Sequence, residues 1–157
     1  ILKVSGNINK TPMLLFVQKG KGVTNITGEK LYEGQIISVM KNVESEFNCN
    51  FNFYLMCADE KNSKYKLYLE LSEYIRLERD VLSDFIDREL SEINLEYSTK
   101  RESKRLNQLV VLILKSGTYE KFKDHYVNNG QREGQFKAMV LHYLKDIDFP
   151  LDKYIDY

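Results

Sequence analysis

The chain has 157 residues and a hydrophobic content of 43%, which fits one folded domain with its own core. Lysine plus arginine and aspartate plus glutamate number 23 each, so the formal net charge is zero and general binding to nucleic acids is not expected. No apolar run approaches the roughly 20 residues of a membrane span, and the first residues lack the pattern of a signal peptide. We expect a soluble, cytoplasmic protein, and the strand-like start at Ile1 indicates a piece of a longer chain.

Neither cysteine nor histidine spacing predicts a cross-link or a metal site. Cys49 and Cys57 lie in one extended-looking run, so a strand would separate them by about 26 Å, beyond disulfide reach. His125 and His142 add no zinc-ligand spacing. We expect reduced, structural cysteines and no metal.

Local patterns in the first half of the chain predict a hairpin, a loop and a helix. Residues 2–4 and 13–17 are strand-like, with Pro12 ending the turn between them. Residues 19–36 begin as a cationic, glycine-containing loop. Apolar residues then recur at three- and four-residue steps as far as Phe47, as on one face of a helix.

The next segments predict an antiparallel strand pair followed by a helix. Residues 51–57 alternate as a strand buried on one side, and residues 65–69 alternate as its partner. Residues 77–93 have helical periodicity, with a break near Asn94.

The last third predicts one more strand and one more helix. The run LVVLIL at 109–114 is typical of a central strand covered on both faces. Thr118 is a candidate cap for a helix that stops at Gly130, and the remaining tail has a weaker helical signal. The predicted fold class is α+β, with helices packed on a mostly antiparallel sheet.

Three segments resemble one family when they are taken in order. They are GNINKTPMLLFVQKGKGVTNITGEKLYEGQI, EINLEYSTKRESKRLNQLVVLILKSGTYEKF and GQREGQFK. Together they resemble the C-terminal domain of GH3-type acyl-acid amido synthetases, within the adenylate-forming superfamily. The resemblance implies a hairpin and hinge region at 1–28 and a mobile α+β domain at 29–157.

The resemblance also implies the partners of this domain. An N-terminal adenylation domain would supply the nucleotide and acyl pockets, so the fragment alone would be inactive. The whole enzyme would use ATP and Mg2+ to adenylate a carboxylic acid and would transfer the acyl group to an amine, commonly an amino acid. An acyl-CoA-forming ligase is the alternative within the superfamily.

The family's C-terminal loop is similar to GQFK, which makes Lys137 the candidate catalytic residue. By resemblance, its ammonium would offset negative charge at the α-phosphate and the attacking carboxylate. Gly134 and Gln135 would shape the loop. The departure is AMVL after Lys137, where the family pattern has a proline and a basic residue. A solvated surface lysine is the alternative.

The glycine-containing loop is similar to the superfamily's hinge and the loop that follows it. The implied hinge residues are Gly20, Lys21 and Gly22, since glycines absorb changes in backbone angles at low steric cost. The implied acceptor-facing residues are Thr24, Asn25, Thr27 and Gly28. The alternative is a rigid hairpin end.

Two further groups of residues are open to more than one interpretation. A helix with alternating charge is usually solvated, and we favour this for Asn94, Tyr97, Arg101 and Arg105 over contact with a partner domain or substrate. The alternating aromatics suggest a different class, an RRM-like sheet that stacks single-stranded bases; they are Phe51, Phe53, Tyr65 and Tyr68. The balanced charge and the lack of the aromatic RNA-binding pattern make this the less favoured function.

Overall fold

Four strands come first in the described part of the chain, and helices and strands then follow in runs of one or two. This computed structural model describes residues 2–9, 11–16, 22–73, 77–130 and 139–157. In chain order the elements are β1 (Leu2–Ile8), β2 (Thr11–Phe16), β3 (Val23–Thr24), β4 (Leu31–Tyr32), α1 (Glu33–Phe47), β5 (Phe51–Asp59), β6 (Lys64–Leu71), α2 (Arg79–Ile93), α3 (Leu95–Glu102), β7 (Val110–Ile113), α4 (Thr118–Asn128) and β8 (Leu141–Tyr143). Among these residues, no helix is long and apolar enough to cross a membrane.

A four-stranded sheet in the order β7-β6-β5-β8 forms the centre of the fold. The central pair, β5 and β6, is antiparallel as predicted, whereas β7 and β8 each pair parallel to their neighbour. Two small antiparallel pairs, β1–β2 and β3–β4, precede it. The α+β class is therefore confirmed. Strand pairing is largely antiparallel, but each edge strand of the main sheet runs parallel to its neighbour.

The prediction that LVVLIL forms a central strand is wrong, because β7 lies at an edge of the sheet. Its apolar character has another cause. The C-terminal residues run alongside this strand, with an antiparallel bridge between Leu114 and Ile155 and a hydrogen bond from Asp156 N to Ile113 O. The edge is thus covered by protein, and an apolar sequence is tolerated there.

Both faces of the sheet are buried, so the prediction that β5 is buried on one side is wrong. On one face, Met56 and Ala58 pack with the apolar sides of α1 and α2. On the other, Leu55 and Cys57 pack with Phe122 of α4 and with the C-terminal segment. Helices on both faces explain why the strand is apolar or aromatic at every position from Phe53 to Ala58.

Asparagines set the helix ends at the predicted places. Asn48 follows α1 in a left-handed conformation, with φ at 47°. Asn94 separates α2 from α3 and caps α3, since its side chain accepts a hydrogen bond from Tyr97 N. Pro12, by contrast, lies within β2 opposite Asn7 rather than ending a segment.

The tail predicted to have weak helical character contains β8 and two short 3-10 helices, Leu144–Asp146 and Leu151–Tyr154. The tail lacks helical periodicity because its buried apolar residues are irregularly spaced along it. Leu141, Phe149 and Leu151 are buried in this way.

A carboxylate from the sheet caps helix α4. Glu70, on β6, is 2% exposed and accepts hydrogen bonds from Gly117 N at 2.9 Å and Tyr119 N at 2.7 Å. Thr118, the predicted cap, is instead the first helical residue and donates its hydroxyl to Lys115 O. Glu70 thus satisfies backbone donors that α4 cannot pair internally.

Candidate functional site

The structure describes some of the predicted site residues and not others. Gly20, Lys21 and the residues Gly134, Gln135 and Lys137 lie outside the described residues. Gly22 and the four predicted acceptor-facing residues are described. Gly22 directly precedes β3, and the other four lie in β3 or between β3 and β4. We call residues 24–28 the acceptor segment.

The acceptor segment folds around the carboxylate of Glu29, which is fully buried. Glu29 Oε1 accepts hydrogen bonds from Ile26 N at 2.7 Å and from Tyr65 Oη at 2.6 Å. Glu29 Oε2 accepts from Thr27 N at 2.8 Å and from the Thr27 hydroxyl at 3.0 Å. All four donors are neutral, and together they fill the usual acceptor positions of a carboxylate. One side chain therefore sets the backbone shape of the segment.

Glu29 is ionised at neutral pH despite its burial. Burial by itself raises the pKa of Glu29, but the hydrogen bonds from Tyr65, Ile26 and Thr27 outweigh it and leave that pKa below its ordinary value. Burial, and then the hydrogen bond to Glu29, raise the pKa of Tyr65. Tyr65 therefore keeps its proton and donates it to the carboxylate.

Thr24 supports the segment from inside the fold. Its hydroxyl lies 3.1 Å from Tyr65 Oη, and because the Tyr65 proton points to Glu29, Thr24 is the donor of this pair. Thr24 is 1% exposed, whereas Asn25 is exposed. Asn25 Oδ1 accepts a hydrogen bond from Gly28 N, and Asn25 N donates to Tyr143 Oη at 3.0 Å.

Asn94 fixes the residues that directly follow the acceptor segment, from Glu29 to Gln35. Its Nδ2 lies 3.2 Å from Glu29 O, 3.3 Å from Lys30 O and 3.2 Å from Gln35 Oε1. Asn94 is 7% exposed and Tyr97 is fully buried, so the prediction of a solvated surface is wrong for these two residues.

Helix α3 has a polar sequence but is partly buried, because its buried polar side chains are paired with Asp87 of α2. Tyr97 Oη donates to Asp87 Oδ1 at 2.6 Å, and Arg101 Nε donates to the same carboxylate at 2.8 Å. Arg105 is exposed. Helix α3 therefore presents its one tyrosine, Tyr97, and its one arginine, Arg101, to α2.

Glu33, the first residue of α1, joins two distant parts of the chain. Its N–H donates to Gly22 O at 2.8 Å, and its Oε1 accepts from Val140 N at 2.9 Å. Gly22 is the last of the three predicted hinge residues, and Val140 lies shortly after the segment that contains Lys137. Both predicted functional segments are thus fixed, at their described ends, to one residue.

Replacing Gly22 with alanine is expected to destabilise the fold. Gly22 has φ at 87°, and an added Cβ would lie 3.1 Å from Glu33 Oε2 and 3.2 Å from Glu33 Cβ. We expect a loss of about 1–3 kcal/mol in the free energy of unfolding, measured by denaturant titration. The matched control is Gly34→Ala within α1, where no heavy atom lies within 4 Å. That change should stabilise by about 0.5–1 kcal/mol, and a neutral Gly22→Ala would contradict the packing described.

The lowered pKa of Glu29 predicts a specific pH dependence. Because the carboxylate is more acidic when folded than when unfolded, its stabilising effect is complete above the ordinary glutamate pKa and is lost as pH falls through the lower, folded value. The unfolding free energies of wild type and Glu29→Gln should therefore converge as pH falls below about 4.5. A difference that is constant from neutral to strongly acid pH would contradict this assignment.

Neither thiol chemistry nor base stacking fits the described residues. Cys49 and Cys57 are free and buried, as predicted, and burial raises the pKa of Cys57 to about 12. Phe53, Tyr65 and Tyr68 are buried beneath helices or the C-terminal segment, which contradicts the RRM-like alternative. Within the described ranges, no three His, Cys, Asp or Glu side chains are grouped to hold a metal ion.

Comparison with known proteins gives one family match and, separately, a likeness of fold to solved structures. Residues 34–142 match the model described as the GH3 family C-terminal domain. The solved structure "GH3.15 acyl acid amido synthetase" superposes with a TM-score of 0.75 at 19% identity, covering 99% of this chain and 30% of that one. "AtGH3.15 acyl acid amido synthetase in complex with 2,4-DB" gives 0.70 at 17% identity, with 99% and 29% covered.

The mixed sheet between two helical layers is therefore the fold of a GH3 family C-terminal domain. The chain spans about 30% of the length of the solved structure it matches. The family match covers well over half of the chain. The chain belongs to the GH3 family, which confirms the resemblance stated from its three segments.

Proposed function

We propose that this chain is the mobile C-terminal domain of an acyl acid amido synthetase. The observation that carries the proposal is the fold match over 99% of the chain to a synthetase more than three times as long. Its closest partner would be the N-terminal adenylation domain of the same protein. The substrates of the whole enzyme would be a carboxylic acid, ATP and an amine, commonly an amino acid.

The proposed movement divides the chain into a hairpin and hinge region at 1–28 and a moving domain at 29–157. Gly20, Lys21 and Gly22 form the hinge. The hydrogen bond from Glu33 N to Gly22 O supports a boundary here, because it ties Gly22 to α1. Rotation would then occur mainly at Gly20 and Lys21, and the end of the hinge region, from Gly22 onward, would move together with the domain.

Lys137 is the proposed catalytic residue, in a loop shaped by Gly134 and Gln135. ATP with Mg2+ supplies the adenylyl group that activates the acid, in pockets that belong to the N-terminal domain. Lys137 would place an ammonium beside the α-phosphate and the attacking carboxylate, where negative charge accumulates during activation. Domain rotation would withdraw this ammonium before transfer. Val140, three residues after Lys137, is anchored to α1 by the hydrogen bond from its N–H to Glu33 Oε1.

The acceptor segment is proposed to face the amine during the second half-reaction. Thr24, Asn25, Thr27 and Gly28 belong to it, and Asn25 is its exposed polar side chain. The fixed backbone around Glu29 supports a recognition role, since binding surfaces gain from being pre-formed.

The test uses the protein together with its N-terminal domain. We expect acid-dependent ATP–pyrophosphate exchange, followed by amide formation with one or more amino acids in a panel. The 157-residue chain alone should give no exchange. Absence of exchange across a broad panel of acids would overturn the proposal. Thioester formation with CoA in preference to amides would favour the acyl-CoA ligase alternative.

A further inference from the structure

A buried chain of hydrogen bonds connects the centre of the sheet to the acceptor segment. Thr24 donates to Tyr65, Tyr65 donates to Glu29, and Glu29 accepts the N–H groups of Ile26 and Thr27. We propose that Tyr65 and Glu29 are positioning residues for the amine acceptor, which act by fixing the backbone of the acceptor segment. The inference rests on the proposed function, because it takes that segment as the surface facing the amine.

Glu29 is placed to position rather than to contact a substrate. It is fully buried, and each carboxylate oxygen already accepts two hydrogen bonds. No acceptor position is left for a substrate ammonium. Its effect on an incoming amine must therefore pass through the backbone of Ile26 and Thr27.

Tyr65 links the position of the acceptor segment to that of strand β6. It is fully buried on β6, directly opposite Ala58 of β5, and its ring centroid lies 6.2 Å from that of Tyr97. A strand inside a sheet holds its side chains more precisely than a loop can. The hydrogen bond from Tyr65 Oη therefore fixes the distance of the Glu29 carboxylate, and of the backbone bound to it, from the sheet.

The same strand provides a matched control. Tyr68 is also fully buried on β6, and its Oη donates to Asp152 Oδ1 at 2.7 Å, compared with 2.6 Å from Tyr65 to Glu29. The two phenols belong to the cores on opposite faces of the sheet. Phenylalanine at either position removes one hydroxyl–carboxylate hydrogen bond, but only Tyr65→Phe affects the acceptor segment.

The experiment measures both half-reactions of the intact enzyme. We expect Tyr65→Phe to raise the KM for the amine about tenfold, as for loss of one hydrogen bond to a charged group, and to change acid-dependent pyrophosphate exchange less than about twofold. Tyr68→Phe should change neither, although both variants should unfold at lower denaturant than wild type. Thr24→Val, a milder change, should raise the amine KM by a smaller factor, and this variant serves if Tyr65→Phe folds poorly.

Three results would overturn the inference. They are an unchanged amine KM in both Tyr65→Phe and Thr24→Val, an equal rise in Tyr68→Phe, and an equal loss of pyrophosphate exchange and amide formation. Each of these requires an active wild type and leaves the proposed function standing. A wild type without acid-dependent exchange would instead overturn the proposed function, and this inference with it.

Discussion

Replacing Lys137 with alanine in the intact enzyme is expected to slow the activation half-reaction about 100-fold, the effect typical of removing one group that stabilises transition-state charge. Transfer from the pre-activated acid should be much less affected, because the ammonium is proposed to leave the site before transfer. Pyrophosphate exchange measures the first step, and single-turnover amide formation from the pre-activated acid measures the second.

Lys145→Ala is the control for this prediction. Lys145 also lies in the C-terminal part of the chain, and it forms an exposed ion pair with Glu60 at 2.6 Å. Exposed pairs contribute little to stability, so neither half-reaction should change. Equal loss of both half-reactions in Lys137→Ala would contradict the role assigned to this lysine.

Glu70→Ala is expected to give a large loss of stability without touching the proposed site. The substitution leaves Gly117 N and Tyr119 N without their acceptor at a partly buried helix start. We expect a loss of about 2–4 kcal/mol in the free energy of unfolding, because two donors lose a charged partner. Denaturant titration measures this directly.

Glu120→Ala is the matched control, because Glu120 is an exposed acid in the first turn of the same helix. Its removal changes only the interaction with the helix dipole, so about 0.5 kcal/mol is expected. If the two variants lost the same stability, the capping role of Glu70 would be excluded.

Local periodicity predicted helix α1 and the β5–β6 pair, although both faces of β5 are buried. Helix α1 follows from apolar residues at helical spacing, and the β5–β6 hairpin follows from alternation on both sides of a polar turn. The break at Asn94 was also predicted, because asparagine is both a poor helix interior residue and a good cap.

Strand order was not predictable in this way. A covered edge and a central position both favour an apolar run, so LVVLIL at 109–114 does not distinguish them. Strand β8 has three residues and pairs with β5 more than 80 positions earlier, which leaves no local periodicity to detect. Pairing over such distances is decided by tertiary packing.

The network of the candidate site was missed for a related reason. The sequence predicts no role for Glu29, since its partner Tyr65 lies 36 positions away on a strand. Asn94, 65 positions from Glu29, was assigned to a solvated helix. One local feature could have indicated the role of Glu29. Thr27 lies two residues before Glu29, and at this spacing a side-chain carboxylate can accept a hydrogen bond from a nearby backbone N–H group.

The last described residues complete the sheet at both of its edges, with β8 beside β5 on one side and Ile155 beside Leu114 on the other. During synthesis, a nascent chain that ends before β8 exposes an unpaired strand at each edge. Such edges are sites for wrong association between chains. We therefore expect the sheet to be fully protected only once Asp156 has been synthesised, and we expect deletion of residues 139–157 to cause aggregation during expression.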